Sequence, residues 1–279
     1  MTFQAAGLRR AFGSQVAVAQ ADLTLTPGRV TGLVGPNGAG KTTLLLMLAG
    51  LLAPDQGAIR YQGRDLAPQR LRSLVGWMPD TIGVWETLTA AEILTAFARL
   101  HQLPTPTARQ RVAELLDLVH LREFANTAAH ELSRGQKQRL SFARALIQRP
   151  AVLLLDEPAS GMDPRSRLDL RDQLRELADG GAAVLVSSHI LSELSEMVDD
   201  VVVMAAGRTT EPLAATGNLW RIRPAGQPSA AAEVRSFPDD ASAAAYLATL
   251  IAGGTLVAEF ARAGNDLEAL YLASIEERV

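Results

Sequence analysis

An apolar run at residues 29–34 leads directly into Gly35-Pro36-Asn37-Gly38-Ala39-Gly40-Lys41-Thr42, with Thr43 and a helix-like stretch behind it. The spacing G-x-x-x-x-G-K-[ST] between a strand and a helix is that of a phosphate-binding loop. Its glycines let the backbone curl so that successive N–H groups point at one anion, and the helix N-terminus adds partial positive charge. Lys41 is then set to reach the β- and γ-phosphates of a nucleotide, and the Thr42 hydroxyl to ligate Mg²⁺. At ordinary residue frequencies the pattern arises by chance in on the order of one chain in a hundred. Its place between a strand and a helix lowers that further. Residues 35–43 are the candidate nucleotide contacts.

A second constellation sits at the end of another apolar run, residues 151–155, which stops at Asp156-Glu157-Pro158. Acids at the carboxyl end of a buried strand lie where an open α/β sheet has its ligand crevice. Asp156 fits a Mg²⁺-holding role, and Glu157 fits a general base that polarises an attacking water.

Strand-like runs at residues 3–8, 16–25, 29–34, 58–61, 74–77, 151–155, 183–187 and 201–204 alternate with helical periodicity after Lys41, Thr89, Thr107, Ser133, Pro164 and His189. That rhythm predicts an α/β fold with much parallel sheet. Residues 81–147 read as almost entirely helical, an insert in the sheet domain, and Thr89-Ala90-Ala91-Glu92 is a capping box. Beyond Gly207 the rhythm changes. Residues 224–229 read as a linker or loop, followed by a strand at 232–237, a helix at 242–252, a strand at 255–262 and a last helix at 266–277. The expected division is therefore a nucleotide-binding domain over 1–211 and a small α+β appendage over 212–279.

Between the two nucleotide motifs lies Leu132-Ser133-Arg134-Gly135-Gln136, which resembles the LSGGQ signature of ABC-type ATPases. The other motifs of that family stand in the same order. Phe12 is similar to the aromatic that stacks on adenine, Ser160-Gly161-Met162-Asp163-Pro164 to the D-loop, and Ser187-Ser188-His189 to the switch histidine. The resemblance covers about three quarters of the chain. It implies a P-loop ATPase fold: a mostly parallel core sheet, an antiparallel β subdomain and the inserted helical subdomain. It also implies ATP and Mg²⁺ as ligands, and two ATPase domains, copies or paralogues, packed head to tail around two ATPs. Ser133, Gly135 and Gln136 would contact the γ-phosphate held on the partner's loop, and His189 would sense the γ-phosphate beside Glu157.

Two positions depart from the family pattern. Arg134 replaces the first glycine of the signature pair, and Asp80, after Met78-Pro79, stands where the family has a Mg²⁺-ligating glutamine. Aspartate also offers hard oxygen to Mg²⁺, so Asp80 joins Thr42 and Asp156 as a candidate ligand. The joining segment that follows, with Ile82, Val84 and Trp85, either packs inward or meets a membrane subunit.

The resemblance implies the ATP-binding subunit of an ABC transporter, most similar to bacterial export-type subunits. It would be peripheral on the inner face of the cell membrane and docked on a separate multi-pass permease. No run in the chain is long and apolar enough to span a bilayer, no basic-then-apolar leader opens it, and it has no cysteine. The alternative is a soluble ABC ATPase acting on ribosomes or DNA. Net charge of −3 gives no basic field for nucleic acid, so none is expected as partner. The transported substrate is not encoded in these motifs.

Overall fold

The computed structural model describes residues 2–262 apart from 82, 84, 191–193, 195–196, 211, 215–217, 229–231 and 238. The predicted helix at 266–277, the start of a helix after His189, and the side chains of Ile82 and Val84 lie outside these residues.

Fourteen strands and seven α-helices are described. Five strands run parallel side by side, in the order β9 (Asp200–Ala205), β3 (Val30–Val34), β8 (Ala183–Ser188), β7 (Val152–Asp156) and β6 (Val75–Met78). Every residue of β3, β7 and β8 is buried, which is why they read as unbroken apolar runs. Their side chains alternate between two cores. Leu153, Leu155, Val184 and Val186 join one cluster with the inserted helices, while Val152, Leu154 and Leu185 join the other with α1 (Lys41–Leu48). Four fully buried side chains of α1, Leu44, Leu45, Met47 and Leu48, each contribute about 2 kcal/mol of burial and fix the helix that carries Lys41 and Thr42.

An antiparallel layer continues the sheet. β1 (Phe3–Phe12) lies between β2 (Gln15–Leu25) and β4 (Gln56–Tyr61), and two-residue strands β5 (Arg64–Asp65) and β10 (Arg208–Thr209) extend it and join it to β9. Neither short strand, nor α2 (Pro68–Leu74), was expected. Two-residue strands exist only as partners of longer ones, and α2 buries a single side chain, Leu71, so it leaves no periodic signal.

Between β6 and β7 the chain forms α3 (Ala90–Leu100), α4 (Thr105–Leu118) and α5 (Arg134–Ala145). The insert is less helical than expected: extended and turn segments occupy 85–88 and much of 119–133. Helix α3 opens on the predicted capping box, Thr89 Oγ1 accepting from Glu92 N at 3.2 Å and Glu92 Oε2 from Thr89 N at 2.9 Å. After β7 come α6 (Pro164–Asp179), β8 and β9.

Past the expected division, β11 (Leu213–Ala214) still pairs with β9. The rest forms a three-stranded sheet of β12 (Asn218–Pro224) flanked by β13 (Glu233–Phe237) and β14 (Val257–Arg262), with α7 (Asp240–Ala252) against it. Its core is small and aromatic: Ile222, Phe237 and Ala243 with Trp220, Tyr246 and Phe260. β12 was not expected, and part of the predicted linker is the turn that follows it.

Candidate nucleotide site

The phosphate loop lies between the end of β3 and α1, and the surrounding backbone dictates two of its glycines. A side chain on Gly35 would run into the Met204 carbonyl of β9, and one on Gly40, whose φ is +104°, into the Ala17 carbonyl of β2. The loop is thus wedged between the parallel and antiparallel parts of the sheet. A cavity of about 400 Å³ opens over it, lined among others by Phe12, Val16, Asp80, Asp156 and Glu157.

Pro36, Asn37, Gly38, Ala39, Gly40, Lys41, Thr42 and Thr43 all border this cavity; Gly35 takes part through its carbonyl. Lys41 is 7% exposed, and its ammonium donates to the carbonyls of Gly35 at 2.7 Å and Pro36 at 3.4 Å. Burial lowers its pKa, and the carboxylates of Glu157 and Asp156 oppose that shift. The Thr42 hydroxyl donates to Asp156 Oδ2 at 2.7 Å, and the other oxygen, Oδ1, accepts from the Ser187 hydroxyl at 2.5 Å. Asp156 is 1% exposed, and each of its oxygens accepts one of these hydrogen bonds.

Glu157 follows at the turn out of β7, with its backbone in the left-handed region at φ +51°. A non-glycine residue held there costs about 1–2 kcal/mol and persists only where neighbours over-determine it. Here Ser187 accepts from the Glu157 N–H through both its hydroxyl, at 3.1 Å, and its carbonyl, at 3.2 Å. The carboxylate then meets His189, with Nδ1 2.9 Å from Oε2, and lies 4.0 Å from the Lys41 ammonium. A carboxylate bordering the cavity thus meets an imidazole and a buried ammonium.

Phe12 is 50% exposed at the rim, a flat apolar surface left to solvent, with the Arg10 guanidinium 4.9 Å from its ring centre. Gln15 and Val16, missed by sequence reasoning, also border the cavity, brought there by the hairpin that turns at Gly13-Ser14 and pairs Phe12 with Gln15 and Ala11 with Val16. That Gly-Ser loop between two apolar runs was the available hairpin signal.

Ser133, Gly135 and Gln136 do not border the cavity. Ser133 caps α5 and forms a second capping box with Gln136: Ser133 Oγ accepts from Gln136 N at 3.2 Å, and Gln136 Oε1 from Ser133 N at 2.8 Å. Arg134 turns aside onto Gly161, where a Cβ would fall 3.2 Å from its guanidinium carbon. Sequence reasoning also missed Ser187 as the brace of both acids, and Arg144, which donates to the Gly83 carbonyl at 2.8 Å and stacks 5.1 Å from the Phe97 ring centre.

Among the described residues no cluster of three or more His, Cys, Asp and Glu could hold a metal by itself. The cavity instead gathers a hydroxyl and two carboxylates, Thr42, Asp156 and Asp80, beside a phosphate loop. Hard oxygens in that number fit Mg²⁺, which keeps waters and takes its remaining ligands from substrate phosphates.

A second cavity, about 340 Å³, lies between the sheet core and the helical insert, bordered by Leu51, Trp77, Phe97, His101 and Arg144. Trp85 is half exposed and packs on Phe97, ring centres 5.7 Å apart. No described helix is long and apolar enough to cross a membrane.

Comparison with known proteins gives this site a context. A family model described as ABC transporter matches residues 18–160. The probable multidrug ABC transporter ATP-binding protein YbhF of Escherichia coli (strain K12) is 43% identical over 208 residues, 73% of this chain and 36% of that protein. The daunorubicin resistance ATP-binding protein DrrA3 of Streptomyces coeruleorubidus is 38% identical over 204 residues, covering 72% of this chain and 65% of its own length. Nod factor export ATP-binding protein I of Cupriavidus metallidurans (strain ATCC 43123 / DSM 2839 / NBRC 102507 / CH34) is 36% identical over 208 residues, 74% of this chain and 68% of its own. The chain thus spans only 36% of YbhF and just under two thirds of DrrA3. Among solved structures, one described as the ATP-binding subunit of an ABC transporter superposes with a TM-score of 0.70 at 27% identity, covering 77% of this chain and 90% of that one.

Proposed function

Because the chain belongs to the ABC transporter ATP-binding family, we propose that it binds and hydrolyses ATP as the nucleotide-binding subunit of an export-type transporter. The observation that carries this reading is Glu157, which borders the phosphate-loop cavity, lies 4.0 Å from the Lys41 ammonium and is hydrogen-bonded to His189. Phe12 offers the adenine a stacking face, the loop amides and Lys41 hold the phosphates, and Glu157 accepts a proton from the water that attacks the γ-phosphorus. The bond to the β-phosphate oxygen breaks, leaving ADP and phosphate. His189, hydrogen-bonded to Glu157, orients that carboxylate and stabilises charge on the transferred group. Thr42, Asp156 and Asp80 would hold Mg²⁺, which neutralises phosphate charge when bound.

Ser133, Gly135 and Gln136, capping α5 away from this cavity, suit a second copy's γ-phosphate, so the working form is a dimer around two ATPs. The cavity between core and helical insert, with exposed Leu51 and Trp85, suits a short segment of a separate membrane permease. In this reading residues 1–211 form the ATPase domain, residues 212–279 an accessory unit, and the protein sits on the inner membrane face through its partner.

The test is capture of tagged Glu157→Gln from detergent-solubilised native cells in ATP. A multi-pass membrane protein supports the transporter reading; ribosomal or DNA-bound partners without a permease overturn it.

A further inference from the structure

Gln138 lies in the second turn of α5, is 3% exposed, and is one of few buried polar side chains in the domain. Its amide donates to the Glu157 carbonyl at 3.3 Å and to the Pro158 carbonyl at 3.1 Å. The Glu157 carbonyl also accepts from Ser160 N at 3.1 Å. With Ser187 on its N–H, the left-handed Glu157 peptide is therefore pinned from both sides, by β8 at the nitrogen and by α5 at the oxygen. Its carboxylate reaches His189 from this fixed base.

We propose that Gln138 is a positioning residue for hydrolysis, setting the aim of Glu157 according to the position of α5. This rests on the ATPase reading above. Gln138 follows the Ser133 cap by five residues, roughly 7–8 Å along the helix axis. A shift of the helix end that meets a phosphate is passed along one rigid element to the two carbonyls that hold the general base. Such aim matters because a misplacement of about 1 Å in a reacting group lowers rate on the order of 100-fold. Gln138 does not border the phosphate-loop cavity, so ATP binding is not expected to depend on it.

Two variants of the full chain test this by steady-state ATPase kinetics. Gln138→Leu keeps the bulk and removes the donors. It is expected to lower kcat on the order of 10- to 100-fold with the KM for ATP within about two-fold of wild type. Gln138→Glu turns an oxygen toward the two carbonyls, and burial favours its protonated form, which donates again. Its kcat relative to wild type should therefore rise as pH is lowered from 8.5 to about 6. The wild type measured at each pH is the reference. A Gln138→Leu kcat within about two-fold of a hydrolysing wild type overturns the inference. So does a Gln138→Glu ratio flat with pH, which remains decisive if the leucine variant does not fold. A wild type that does not hydrolyse ATP instead removes the ATPase reading, and this inference with it.

Discussion

Thr42 and Asp156 stand 114 residues apart in the chain and meet through a 2.7 Å hydrogen bond. One opens α1 and the other closes β7, so the bond joins the phosphate loop to the acidic end of the central sheet. It also presents a hydroxyl and a carboxylate side by side, the donor pair that a phosphate-bound Mg²⁺ needs. The proposed chemistry depends on this junction; three variants probe its surroundings, and a fourth probes the capping box of α3.

Lys41→Ala removes the buried ammonium that faces both the loop carbonyls and Glu157. Loss of a charge-assisted contact to phosphate should weaken ATP affinity on the order of 10- to 100-fold. Fluorescent-nucleotide titration checks this; unchanged affinity contradicts the assignment of the loop.

Glu157→Gln keeps the side chain's size and its reach to His189 but cannot accept a proton. Hydrolysis should fall on the order of 100-fold or more while ATP still binds. ATP-loaded variant should elute as a dimer in size exclusion. A monomer in saturating ATP argues against the sandwich arrangement.

Asp80→Gln exchanges a carboxylate at the cavity wall for the amide found in the family pattern. Both supply a hard oxygen, so ATPase activity should stay within about three-fold of wild type. Complete loss at all Mg²⁺ concentrations shows that the negative charge itself is required.

Glu92→Gln preserves the geometry of the α3 capping box. The Glu92 carboxyl is held below the ordinary glutamate value of 4.5 by hydrogen bonds, first from the Thr89 backbone N–H and then at the Thr89 side chain. The folded chain thus favours the ionised form. That contribution is fully present above the ordinary value and fades as pH falls through the depressed one. Wild type should melt above the variant at neutral pH, and the gap should close in acid. A gap constant with pH contradicts this.

Much of the fold was legible because its signals are local. Eight strand-like runs of the ATPase domain are strands; burial on both faces writes an unbroken apolar run into β3, β7 and β8. The phosphate loop is readable because its glycines and lysine lie within eight residues, and Thr89 with Glu92 because a capping box spans four. The C-terminal sheet was partly readable. The alternation of Trp220 and Ile222 with Arg221 and Arg223 carried a strand period that the nearby Pro-Gly segment obscured.

The sequence by itself determined that this chain carries the phosphate-loop pattern between a strand and a helix, ends a buried strand in two acids and carries the ordered motifs of an ABC ATPase. Only the tertiary structure decided which groups come together: Ser187 bracing Asp156 and Glu157, Val16 bordering the same cavity as Phe12, Arg134 turned onto Gly161, and Gln138 holding the Glu157 carbonyl. The physical reason is sequence separation. A loop or a cap is fixed by dihedral preference and hydrogen bonds among neighbours, whereas these contacts depend on how strands order in the sheet and where α5 packs. Single residues such as Ser187 and Gln138 carry no local mark of the carbonyl or carboxylate that folding brings to them.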